Sequence, residues 1–167
     1  MKEIVDKITS YNVFNYLVPG AVFVALADYF TSVKVIQKDV ILGLFVYYFC
    51  GLVISRVGSV MIDPALKRIG FVTFSPYADF VSACKSDPKI DVLSESNNMY
   101  RTFIAVFTVL IALLLFDRAA TTYLFASDLR DCLLVVFLLV LFCCSYRKQS
   151  GYITQRIALT KKPIENG

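Results

Sequence analysis

At 167 residues the chain is long enough for one compact domain or one small helical bundle. Hydrophobic residues make up 57% and charged residues 18%, with a mean hydropathy of +0.66, where a soluble domain is about half apolar and about a quarter charged; the apolar residues also fall in long blocks, which excludes an ordinary soluble core. The net charge of +4 needs no nucleic acid to explain it, and five cysteines without a CxxC pair, in a chain with no histidine, leave no expectation of a disulfide framework, a zinc site or another cofactor.

Residues 1–11 carry Ile4, Val5, Ile8 and Tyr11 at helical spacing, which suits a short amphipathic segment at the membrane surface or an early extension of span one. The first apolar block covers about 13–31 and is long enough to cross about 30 Å of hydrocarbon. Lys2, Lys7 and Ala25-Leu26-Ala27 would also suit a cleaved secretory signal. Glu3 and Asp6 dilute that leading charge, and Asn15 and Pro19-Gly20 interrupt the apolar region, so a retained span is expected. Within "YNVFNYLVPG", residues 11–20, Asn12 and Asn15 share a helix face. One reading is interfacial, with Asn12 capping the helix and Tyr11 and Tyr16 in the headgroup belt. The other places Asn15 at a subunit interface or a central opening, where side-chain amides hydrogen-bond. Pro19 deletes a helical hydrogen bond and Gly20 loosens the chain, so span one should bend there.

The second block covers about 40–61. Gly43, Gly51 and Gly58 lie on roughly one face with Ser55, a small-residue surface that admits a second helix closely, from span one or from another copy of the chain. Asp28, Arg56, Asp117 and Arg118 are charges flanked by apolar sequence, which is costly within a membrane and points to function by default. Asp28, Asp117 and Arg118 fall towards the outer ends of their spans and Arg56 near an inner end. They therefore read as anchors or structural pairs, with Arg118 placed to meet Asp28 and Arg56 to snorkel to phosphates.

The segment 62–101 is the one sizeable polar insert. "SPYADFVSACKSDP" offers Ser75 as N-cap, Pro76 at the first helical position, and Tyr77, Phe80, Val81 and Cys84 on one face, ended by Asp87-Pro88. A second helix starts near Asp91 and runs through Asn97, Asn98 and Tyr100 into span three, about 102–125. Span four covers about 129–146, and "CLLVVFLLVLFCC" has no polar side chain from Leu133 to Phe142. Cys143-Cys144 are small apolar residues in that helix or sites of lipid attachment. In the tail, 147–167, Tyr146, Ile153 and Ile157 approach one helical stripe that Gly151 weakens.

Spanning segments must satisfy their own backbone groups, so all four are expected to be helices. Thirteen Lys and Arg lie on one side of the spans and four on the other, which puts both termini and the insert in the cytoplasm. The expected architecture is an all-α polytopic membrane protein with 1–11 amphipathic, 12–61 as spans one and two, 62–101 as a small helical cytoplasmic insert, 102–146 as spans three and four, and 147–167 as a cytoplasmic tail. Catalytic triads, phosphate-binding glycine loops and imidazole acid–base pairs are absent from the sequence, so no enzyme is expected. Aromatic residues beside basic ones in the insert are common material for protein docking, which selects Tyr77, Phe80 and Lys85 as partner-binding residues.

This architecture, with "YNVFNYLVPG" at span one and "SESNNMYRTF" leading into span three, resembles the small membrane components of prokaryotic antiphage defence systems. The membrane component of the Kiwa system is similar in architecture, and the membrane accessory proteins of CRISPR effectors are the competing family. The resemblance covers the layout of the whole chain and aligns no functional residue. It implies an oligomeric, non-enzymatic sensor or scaffold of the prokaryotic inner membrane, contacting lipid, other copies of itself and a soluble cytoplasmic effector. The alternative is a pore-forming effector that depolarises the cell.

Overall fold

A computed structural model of the protein describes residues 12–122 and 127–161; the amphipathic segment expected over 1–11 lies outside them. The described chain is helical throughout its regular structure. A π-turn, Val13–Leu17, leads into α1 (Val18–Phe30); α2 (Val40–Val57) passes through a second π-turn, Gly58–Ile62, into α3 (Asp63–Arg68); α4 (Tyr77–Ser86), α5 (Lys89–Thr122) and α6 (Ser127–Lys161) follow. Four stretches are long and apolar enough to cross a membrane: Val13–Phe30, Val40–Arg68, Lys89–Ala119 and Leu133–Leu159. The protein is therefore an all-α membrane protein with four candidate spans.

Both π-turns end two residues before a proline. A proline ring clashes with the carbonyl four residues back and has no N–H to donate. Widening the preceding turn by one residue moves the carbonyls out of that register. Hence Val18 N–H reaches back five residues to Val13 O, before Pro19, and Asp63 N–H reaches Gly58 O, before Pro64. Where the sequence predicts a bend at Pro19-Gly20, the structure has a π-turn just ahead of it. Pro64 likewise does not end the second span's helix, which continues to Arg68 instead of stopping near 61. It closes after Ile69 with Gly70 at φ 73°, Phe71 N–H bonding Leu66 O and Gly70 N–H bonding Lys67 O, a left-handed C-terminal cap suited to glycine.

Spans one and two form a hairpin. Thr31 closes α1 by donating from both N–H and Oγ1 to Ala27 O, and Asp39 Oδ1 caps α2 by accepting from Leu42 N–H at 2.8 Å. The two backbones meet at glycines. A Cβ on Gly51 would overlap Tyr16 O, and one on Gly20 would overlap Tyr47 O and stand 2.7 Å from Gly51 N. Small residues permit this approach, and carbonyl oxygens resting on glycine Cα atoms make weak reciprocal contacts. Span three covers the hairpin: Ile54, Ala105 and Val106 form the buried centre, with Val22, Phe23 and Ile62 around it. A Cβ on Gly58 would lie 3.4 Å from Ala105 Cβ, and one on Gly43 would meet only its own helix's Tyr47 ring. Two of the three glycines predicted as a face therefore serve packing within the chain, against two different spans.

Among the described residues span four is attached at its insert-bearing half. Leu141 and Ser145 are buried, whereas Leu133–Phe137 are exposed. Helix α6 passes through Gly151 without interruption to Lys161, so the tail continues the span. Helix α5 begins at Lys89, whose N–H donates to Asp87 Oδ1 at 2.9 Å, and runs unbroken into span three as the sequence predicts. Ser75 makes no N-cap for α4: the cap position is Pro76, with no side-chain bond.

Candidate functional site

At the insert-bearing end of the bundle, side chains from all four spans converge on a charged cluster. Arg56, Ser59 and Asp63 follow one another at spacings of three and four along span two, which sets them on one face. Asp63 is buried; Arg101 Nη1 of span three lies 3.4 Å from its Oδ2 and Lys148 Nζ of span four 3.8 Å. Lys148 Nζ also donates to Ser59 Oγ at 2.9 Å and to Ser59 O. The second bond follows from the helix irregularity. Asp63 N–H turns back to Gly58 O, and Pro64 has no N–H, so Ser59 O is out of reach of a helical donor and the ammonium supplies one. From span one, Tyr16 OH accepts from Arg56 Nη2 at 3.1 Å, with the Tyr16 ring edge-on to Tyr48 at 5.6 Å. Thr102, fully buried, donates to Asn98 O at 2.9 Å and sits 3.4 Å from Ser55 Oγ.

Arg101 and Lys148 thus share the Asp63 carboxylate, while Arg56 is bonded to the Tyr16 hydroxyl. Gly58 allows the crowding: a Cβ there would stand 3.4 Å from Arg101 O and 3.5 Å from Arg101 Cγ. Of these groups, only Arg56 and Gly58 are among the predicted site residues. The spacing of Arg56, Ser59 and Asp63 was the available signal, concealed by ending the second span near 61.

At the opposite end, Asp28 pairs with Lys34 at 3.6 Å, and Lys34 is 65% exposed, so the pair contributes little. Asp117 ties span three to the 31–39 loop, accepting from Ser32 N–H at 3.1 Å and from Ser32 Oγ. Arg118 is exposed beside it. Asn15 is 2% exposed, buried in the first π-turn within the single chain, and Asn12 makes no side-chain cap bond.

The insert packs on the projecting ends of α5 and α6. The Tyr77 ring lies 5.5 Å from that of Tyr152, Val81 is buried and Phe80 half-buried, while Lys85 is exposed. Tyr77 is therefore engaged in holding α4 to α6, leaving Phe80 and Lys85 as the outward members of the predicted trio. Lys67 Nζ sits 4.1 Å above the Phe74 ring. The Cys84 thiol is pushed up from its ordinary range by partial burial, then by its hydrogen bond to Asp91 and that carboxylate's charge, against a smaller opposing effect of Arg156. A shallow depression of about 400 Å³ runs along α6, lined by Cys144, Arg147, Lys148, Gly151, Tyr152 and Gln155. Among the described residues no group of three His, Cys, Asp or Glu is placed to hold a metal.

Protein-family models, curated proteins and solved structures were all compared with the chain, and none matches.

Proposed function

We propose that this protein is a non-enzymatic, oligomeric sensor or scaffold of the prokaryotic inner membrane that recruits a soluble cytoplasmic effector, in the manner of the antiphage membrane components it resembles. The observation that carries this reading is the length of α5 and α6. At 34 and 35 residues each is about 50 Å long, against about 30 Å of hydrocarbon. Each therefore extends well beyond the bilayer as a continuous helix, and the projecting parts hold α4. A change in how the spans pack is passed along unbroken helices to a soluble face, an arrangement suited to signalling and superfluous for anchoring. The charged cluster sits at the base of these projections and couples the four spans there.

Phe80 and Lys85 present the docking face, and Tyr77 positions it through Tyr152. Replacing Phe80 and Lys85 together by alanine should abolish co-purification of the protein encoded next to this one, with oligomer size and membrane insertion unchanged. Undiminished binding of that partner would move the docking face elsewhere. Ion flux through the purified protein in liposomes would instead establish the pore-forming alternative.

A further inference from the structure

We infer that the charged cluster is a binding site for a phosphate group of the kind carried by acidic phospholipids, held between Arg56, Arg101 and Lys148. The inference is independent of any soluble partner.

Charge balance is the first argument. Arg56, Arg101 and Lys148 bring three positive charges, and among the described residues Asp63 is the one carboxylate bonded to any of them, to Arg101 and Lys148, while Arg56 is bonded to the neutral Tyr16 phenol. Lys67, Arg101 and Arg56 all act electrostatically on Lys148, so the surplus is local. Excess charge removed from water near a bilayer is costly unless a counter-charge joins it.

Unused donors are the second. Arg56 donates from Nη2 to a neutral phenol and Arg101 from Nη1 to Asp63, while Nε of each arginine is buried with no acceptor among the described residues. A buried donor left without an acceptor carries its full desolvation penalty. A guanidinium presents Nε and one Nη as a fork that matches two oxygens of a phosphate, and here the forks of Arg56 on span two and Arg101 on span three have Nε arms that are buried and without an acceptor among the described residues. Asp63 has its Oδ2 already divided between Arg101 and Lys148.

Position is the third. Arg56 stands about two turns before Pro64, Arg101 opens the apolar part of span three, and Lys148 closes that of span four. All three belong to the depth at which spans meet headgroups, where basic pockets between helices bind anionic lipid heads. The Lys148-lined depression along α6 adjoins the cluster and gives an approach from the side.

Asp63 competes with the anion, which fixes the sign of the test. The full chain in nanodiscs of phosphatidylcholine would be titrated with phosphatidylglycerol, and bound lipid counted by native mass spectrometry; a parallel arm titrates inorganic phosphate. Wild-type protein should retain phosphatidylglycerol over phosphatidylcholine. Arg56→Gln and Arg101→Gln should each weaken retention about tenfold, Lys85→Gln should leave it unchanged, and Asp63→Asn should strengthen it. Saturable binding of inorganic phosphate that the same arginine variants abolish, without preference among lipids, would support the site and assign it to a soluble phosphate. Equal retention of the two lipids with no phosphate binding would overturn the inference. So would weaker retention in Asp63→Asn protein that keeps wild-type helicity and oligomer size. Should Arg101→Gln fail to fold, Arg56→Gln, which gives up only the bond to Tyr16, and Asp63→Asn decide the matter.

Discussion

Gly20 and Gly51 show how much one missing methyl group decides. Each faces backbone of the other span, and backbone has no rotamer by which to move aside. Gly20→Ala and Gly51→Ala should each cost about 3 kcal/mol or prevent assembly of the hairpin. Gly43→Ala should be nearly neutral, and Gly151→Ala, open to solvent in mid-helix, should gain up to about 1 kcal/mol. Reversible denaturation in mixed micelles would rank the four, and a destabilised Gly43→Ala would contradict the packing described here. Cys84 offers a second test. Its thiol is kept protonated by partial burial and by Asp91. A folded-state pKa raised above the unfolded value contributes stability that is full below the ordinary thiol range and is lost as pH rises through the elevated value. Asp91→Asn removes the carboxylate's hydrogen bond and charge, so alkylation of Cys84 should begin at lower pH than in wild type, read as rate against pH. An unchanged or upward-shifted profile would deny Asp91 this role.

The elements divide into those visible in sequence and those that needed geometry. The spans were legible because long apolar blocks have one structural solution in a bilayer. The unbroken run from the insert into span three followed from the absence of a breaker after Pro88. The end of span two was misplaced near 61: the π-turn ahead of Pro64 lets the helix pass on to Arg68. The Leu66–Phe71 cap, by contrast, was available from "LKRIGF", with basic residues in the last turn and glycine after it. The cluster itself was not legible, since Asp63 meets residues 38 and 85 positions away and apolar periodicity does not record how spans are arranged about one another. Its worth as a clasp is measurable. Asp63→Ala leaves Arg101 and Lys148 facing each other uncompensated, and breaking a buried pair costs about 3–5 kcal/mol, reduced here by partial exposure to about 2 kcal/mol. Lys148→Met on that background should recover part of the loss, as thermal unfolding in detergent would report; full additivity of the two changes would show that they do not interact.

For the whole molecule, the charge asymmetry predicts that the insert and the tail lie in the cytoplasm. Lys85 is exposed on α4, so a Lys85→Cys variant should resist a membrane-impermeant maleimide on intact spheroplasts and react after lysis. Reaction from outside would reverse the orientation of all four spans.

Span four is held at its insert-bearing half and exposed along Leu133–Phe137. A helix fixed near one end and immersed in lipid along the rest meets changes of bilayer thickness by changing its tilt. The clasp of Lys148 on Ser59 and Asp63 is then a fulcrum, with an apolar arm in the bilayer and a polar arm carrying Tyr152 against Tyr77. On the proposed sensor reading, thinning or stretching of the membrane should displace the insert laterally, so that the mechanical state of the lipid would be written onto a surface in water.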